Sequence, residues 1–159
     1  MKKIVLTSMV GLLSMLTLEA ADCIMAKDLN VQFINASTKY ETQSEMTKIK
    51  EYAQFLKESD LYAVIEGHTN NDAPARYNYE LSEKRAAKVT QELISLGVEP
   101  SKIKTLAFGE SKPLYDNKNM EGLEKNRRVS AEIFNTSTEL NNYVGTEKAQ
   151  IAVKKFQEQ

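Results

Sequence analysis

Tryptophan is absent from this 159-residue chain, and cysteine and histidine occur once each, as Cys23 and His68. One cysteine cannot form an internal disulfide, so the fold does not depend on oxidation. One histidine without a cluster of further ligands does not make a zinc site. Charge of one sign is also missing: 21 Lys and Arg face 22 Asp and Glu, a formal net charge of -1. No overall field draws the chain to nucleic acid or to an anionic membrane. Internal repeats, like-charge blocks and phosphate-loop patterns are lacking. No serine or cysteine motif accompanies His68, and no convincing acid and base pair stands out. The chain therefore reads as non-catalytic, with no cofactor or metal. Its seven tyrosines include Tyr77 and Tyr79, whose helical setting favours packing over sugar stacking.

No apolar run reaches the roughly 20 residues of a membrane span. The longest, Ile4 to Leu18, is broken by Thr7, Ser8, Ser14 and Thr17 and follows Met1-Lys2-Lys3. That arrangement fits a secretory signal peptide over residues 1–20. Cleavage after Ala20 is favoured over cleavage after Ala26, although neither site is clean. An uncleaved anchor or a buried helix is the competing reading. Lipidation of Cys23 is disfavoured because Asp22 stands where a lipid-attachment motif has a small residue.

What remains is one ordinary globular domain, with 42% hydrophobic and 27% charged residues. Leu29, Val31 and Phe33 alternate with polar residues, as in a half-buried strand. Glu41 to Lys57 places Met46, Ile49, Ala53 and Leu56 at helical spacing. Leu61 to Glu66 is nearly all apolar and predicts a central strand covered on both faces. Asn70 to Pro74 is a turn. A second helix runs from Ala75 to Leu96 with Ala86, Val89, Leu93 and Leu96 as its stripe. Gly97 supplies a left-handed cap. Ile103 to Phe108 is a third strand, Gly109 to Gly122 a loop, and Arg128 to Phe134 a fourth strand. This order argues for a mixed α/β (α+β) layer with two main helices packed on one sheet. Residues 135–159 read as a polar tail, too sparse in apolar side chains for a second core, that docks at most a short helix.

Spacing also places a candidate site. Asn78 and Arg85 lie two helical turns apart on one face, with Ser82 between them. Asn70 sits in the turn that feeds the same helix. A helix N-terminus favours an anion, Arg85 offers a planar fork for a carboxylate, and Arg127 opens the last strand beside them. Such a pocket suits a small zwitterion.

Three stretches together carry a family resemblance. They are Ile65-Glu66-Gly67-His68-Thr69-Asn70; Tyr77-Asn78 with Leu81-Ser82 and Arg85-Ala86; and Gly109-Glu110 through Asn126-Arg127-Arg128-Val129. In this order and at these intervals the chain resembles the OmpA-like domain over residues 27–134. The resemblance implies a βαβαββ fold and non-catalytic binding of peptidoglycan through the diaminopimelate of its stem peptide. It further implies a periplasmic place, with possible outer-membrane association and envelope-protein partners, in a free form the size of a peptidoglycan-associated lipoprotein. Carried over, the ligand-binding residues are Asn70, Asn78, Arg85 and Arg127. Two positions depart from the family pattern. Asn70 stands where the family has an aspartate for the ligand ammonium, and Ile34 stands where many relatives have another. A neutral hydrogen bond contributes about 1 kcal/mol less than a charge-assisted one, roughly tenfold in affinity. Asp72 compensates if the turn carries it inward. The competing reading is a structural or protein-interaction module that has lost wall binding.

Overall fold

A computed structural model describes residues 28–157, with side chains described as far as Ala152. The expected signal peptide, its cleavage sites and Cys23 lie outside the described residues, as do the side chains of Val153 and Phe156. The elements are β1 (Asn30–Gln32), α1 (Ser44–Ser59), β2 (Tyr62–His68), α2 (Ala75–Ser95), β3 (Ile103–Gly109), α3 (Met120–Asn126), β4 (Arg128–Phe134) and α4 (Ser137–Gln157). No helix among the described residues is long and apolar enough to cross a membrane.

The sheet order is β1-β4-β2-β3, with β2 and β3 parallel and the other pairs antiparallel. This is the expected mixed α/β layer. Strand alternation assigns the two faces. Val31, Ala63, Ile65 and Val129 point to one side, where Ile49, Tyr52, Ala53 and Leu56 of α1 meet Ala86, Val89 and Leu93 of α2. The predicted stripes are buried at Ile49, Ala53 and Leu56 of α1 and at Ala86, Val89 and Leu93 of α2, whereas Leu96 is partly buried and Met46 stays outside the cluster. As expected, β2 is central and covered on both faces, because Val64 belongs to a second apolar cluster on the far side.

Two glycines fix how α2 sits. Gly97 has φ of +93°. The N–H of Gly97 bonds Ile94 O and that of Val98 bonds Leu93 O, closing the helix in a Schellman arrangement. At Gly67 a Cβ would lie 2.0 Å from Ser82 O. Only a missing side chain lets the α2 backbone approach the end of β2 this closely.

Two expectations need correction. The last part of the predicted loop 109–122 is helical, because Asn119 caps α3 by accepting from Gly122 N at 2.7 Å. The predicted polar tail is the 21-residue helix α4, lying on the sheet face opposite α1 and α2. Leu140, Tyr143, Val144 and Ile151 pack on Val64, Leu106, Phe108, Tyr62 and Phe134. The stripe reads as sparse because Glu147 interrupts it. That carboxylate is buried in an ion pair with Lys112 at 2.8 Å.

Candidate functional site

The site forms where the α2 N-terminal half meets the ends of β1 and β2. Asn78, Ser82 and Arg85 are all buried on the inner face of α2. Ser82 Oγ donates to Tyr79 O at 2.7 Å and accepts from Gly109 N at 3.0 Å, tying the helix to the end of β3. Asn78 Nδ2 donates to Ala73 O at 2.8 Å and to the carboxylate of Glu110. Glu110 is thus a polar partner that reasoning from the sequence missed, because it follows β3, 32 residues away in the chain.

Arg85 has no exposed surface. Its Nε donates to Ser37 O at 2.9 Å, Nη2 to Ile34 O at 3.0 Å and Nη1 to His68 O at 3.4 Å. The guanidinium also stands 5.1 Å from the Phe33 ring centroid. Glu80 is paired with Arg76, at 3.2 Å, and not with Arg85. Lys88, one turn on, donates to Thr38 O at 3.0 Å. Three carbonyls of the β1–α1 loop are therefore gripped by cations of α2. The loop itself closes through Ile34 N to Lys39 O and carries Ala36 at φ of +47°.

Arg127 is 9% exposed, and its Nε donates to Phe33 O at 3.2 Å. The two arginines thus hold neighbouring carbonyls at the end of β1. Burial first, and the charge of Arg127 second, lower the Arg85 guanidinium to about 10. Neither arginine has an ion-pair partner among the described residues. The adjacent Asn126, fully buried, has a different task. Its Oδ1 accepts from Leu114 N and Tyr115 N, and its Nδ2 donates to Tyr115 O and Asn117 Oδ1. It locks the loop before α3.

Asn70 is buried in the turn after β2, with Nδ2 donating to Asp72 Oδ2 at 2.7 Å. The turn therefore brings the Asp72 carboxylate against Asn70. His68 stacks on Phe108 at 5.3 Å between centroids, and its Nε2 lies 3.2 Å from Ser130 Oγ. Burial chiefly lowers its pKa. Among the described residues no group of three or more His, Cys, Asp or Glu could hold a metal ion.

Of the four residues singled out in the sequence, Arg85 and Arg127 come together, while Asn70 lies in the turn two residues beyond His68, whose carbonyl Arg85 holds. Asn78 lies further along the helix and engages Glu110. The chemistry assembled is two buried cations beside loop carbonyls, with one carboxylate at the Asn70 turn and another at Asn78.

Comparison with known proteins identifies the family and the fold. The OmpA family pattern matches residues 33–127. Outer membrane porin F of Pseudomonas aeruginosa is 35% identical over 124 residues, covering 74% of this chain and 35% of that protein. The crystal structure of the peptidoglycan-associated lipoprotein from Burkholderia pseudomallei superposes with a TM-score of 0.61 at 26% identity, over 66% of this chain and 89% of the other. The C-terminal domain of Helicobacter pylori MotB gives 0.62 at 25% identity, over 80% and 96%. The chain spans between 26% and 58% of the length of the curated outer-membrane relatives it matches. The match over residues 33–127 spans more than half of the chain, and the chain belongs to the OmpA family.

Proposed function

We propose that this chain is a non-catalytic envelope protein, periplasmic and associated with the outer membrane, that holds peptidoglycan by the diamino acid of its stem peptide. The observation that carries this reading is the pair of buried guanidiniums, Arg85 and Arg127, with no carboxylate paired to either among the described residues. Buried charge without a counter-charge is costly. A ligand carboxylate supplies the counter-charge, and its charge-assisted bond to Arg85 is stronger than the carbonyl bonds that hold the guanidinium now. The β1–α1 loop, which provides two of those carbonyls, is the cover such a ligand displaces. At the other end, Asp72 supports an ammonium in place of the acid missing at position 70. The relatives named for the outer membrane and for peptidoglycan association support the location and the class of partner.

The second reading, a structural or protein-interaction module, is favoured by one observation. Arg85 has no exposed surface and three of its donors are already accepted by backbone carbonyls. On that reading Arg85 is a clamp for the β1–α1 loop and nothing more.

Cosedimentation with purified sacculi separates the two. Arg85→Lys keeps the charge but loses the fork, and is expected to weaken retention at least tenfold while the melting transition stays cooperative. Asn70→Asp restores the family acid and is expected to strengthen retention about tenfold. Retention unchanged in both variants would leave only the module reading.

A further inference from the structure

The sheet face under α4 is divided in two. Its apolar half, Val64, Leu106 and Phe108, is sealed by Leu140. Beyond it lies a polar cleft of about 690 Å³, walled by the loop 111–115 and by Tyr143. This cleft is on the opposite side of the sheet from the α1 and α2 packing, and the Asn70–Arg85 site makes no use of it.

Arg128 lines the cleft and is 94% buried, being 6% exposed. Its Nε and Nη1 are buried without any acceptor. It has no ion-pair partner among the described residues, whereas the neighbouring Lys112 is taken by Glu147 at 2.8 Å. Three acids, Asp28, Glu66 and Glu132, line the cleft with Arg128. Glu66 Oε1 accepts from Tyr143 Oη at 2.7 Å, and Glu66 Oε2 lies 3.7 Å from His68 Nε2. Glu132, on the same face of β4, is exposed at the mouth. The cleft is preformed, because Asn126 fixes the backbone of Leu114 and Tyr115 in its wall. Its volume lies in the range of small-ligand sites, roughly 300–1,000 Å³.

We propose that this cleft is a second binding site, for a short zwitterionic peptide whose carboxylate meets Arg128 and whose ammonium meets Glu66 and Glu132. A plain anion is disfavoured because three carboxylates, Asp28, Glu66 and Glu132, line the cleft with Arg128. A single amino acid is too short. Arg128 and Glu132 are four residues apart along β4, about 13 Å between their Cα atoms, and the termini of a di- or tripeptide bridge the gap their side chains leave. Burial lowers the Arg128 guanidinium, and the charge of Glu66 opposes that effect. A bound carboxylate adds to the support that Glu66 gives.

The test is a two-dimensional amide NMR titration of the full chain with trialanine. Saturable shifts are expected at Glu66, Leu114 and Ser130. N-acetyl-trialanine-amide, which lacks both charges, is expected to leave those signals unmoved, and acetate and alanine to bind at least tenfold more weakly. Arg128→Gln is expected to weaken trialanine at least tenfold, and Arg85→Lys to leave it unchanged. Glu132→Gln alters an exposed residue and keeps the test decisive if Arg128→Gln does not fold. It is expected to weaken trialanine severalfold without changing acetate. No saturable shift with trialanine overturns the proposal. So does equal binding of acetate, of alanine or of the blocked peptide, and so does a Glu132→Gln variant that binds like the wild type.

Discussion

At the residue scale the account turns on how buried charge is settled. Arg85 gives three hydrogen bonds to carbonyls and receives no counter-charge from the described residues. Asn70 is neutral and donates a hydrogen bond to Asp72. His68, the one histidine of the chain, is 2% exposed and its pKa is lowered, chiefly by burial. The unfolded chain takes up a proton at this residue near the ordinary value of about 6.5. The folded chain resists it to lower pH. Stability is therefore complete above about 6.5 and is lost as pH falls toward the folded value, by at most about 1.4 kcal/mol per pH unit for one proton. Thermal midpoints recorded from pH 7.5 to 5.5 should fall, and His68→Gln should flatten that slope. An unchanged slope in the variant would assign the acid sensitivity elsewhere. Motif and spacing single out Arg85, Asn78, Asn70 and Arg127, and all four are buried. Their partners are not legible in the same way. Glu110 and the carbonyls of Ile34 and Ser37 come from distant parts of the chain, and nothing in a local pattern announces which backbone oxygen a guanidinium will meet.

At the element scale, helices with an unbroken apolar stripe were readable and the one with an interrupted stripe was not. In α1 and α2 the spacing Ile49, Ala53, Leu56 and Ala86, Val89, Leu93 corresponds directly to the buried face. In α4 the position between Val144 and Ile151 holds Glu147, whose burial depends on Lys112 from another loop. A carboxylate in the stripe made the segment look solvated. Its packing is nonetheless real core, since Leu140 is 1% exposed against Val64, Leu106 and Phe108. Leu140→Ala should cost about 2–5 kcal/mol, the range for deleting a buried leucine side chain, measured by urea denaturation. A loss below about 0.5 kcal/mol would mean that α4 is a loosely held tail after all. Helix α2 depends in a different way on Gly67, because any side chain there collides with Ser82 O. That contact sets the depth at which Ser82 and Arg85 enter the domain.

At the scale of the whole molecule, one four-stranded sheet separates two polar regions. On the side of α1 and α2, Arg85 and Arg127 hold carbonyls at the end of β1 and in the β1–α1 loop, with Asn70 in the turn after β2. On the side of α4, the sheet is half apolar core and half the cleft of Arg128 and Glu66. The mixed fold and its two main helices follow from the hydrophobic pattern. The division of the far face does not, because it depends on a helix whose stripe the sequence disguises. On the proposed reading, the buried guanidiniums of Arg85 and Arg127 are there for a carboxylate of the stem peptide. The most direct measurement follows the Nε–H NMR signals of both arginines while free diaminopimelate is added to the folded chain. Both signals should shift saturably, together with the backbone amides of Ile34 to Lys39 as the loop yields. Signals that stay in place at concentrations where the chain is retained on sacculi would contradict the account, and would leave Arg85 as a clamp for that loop.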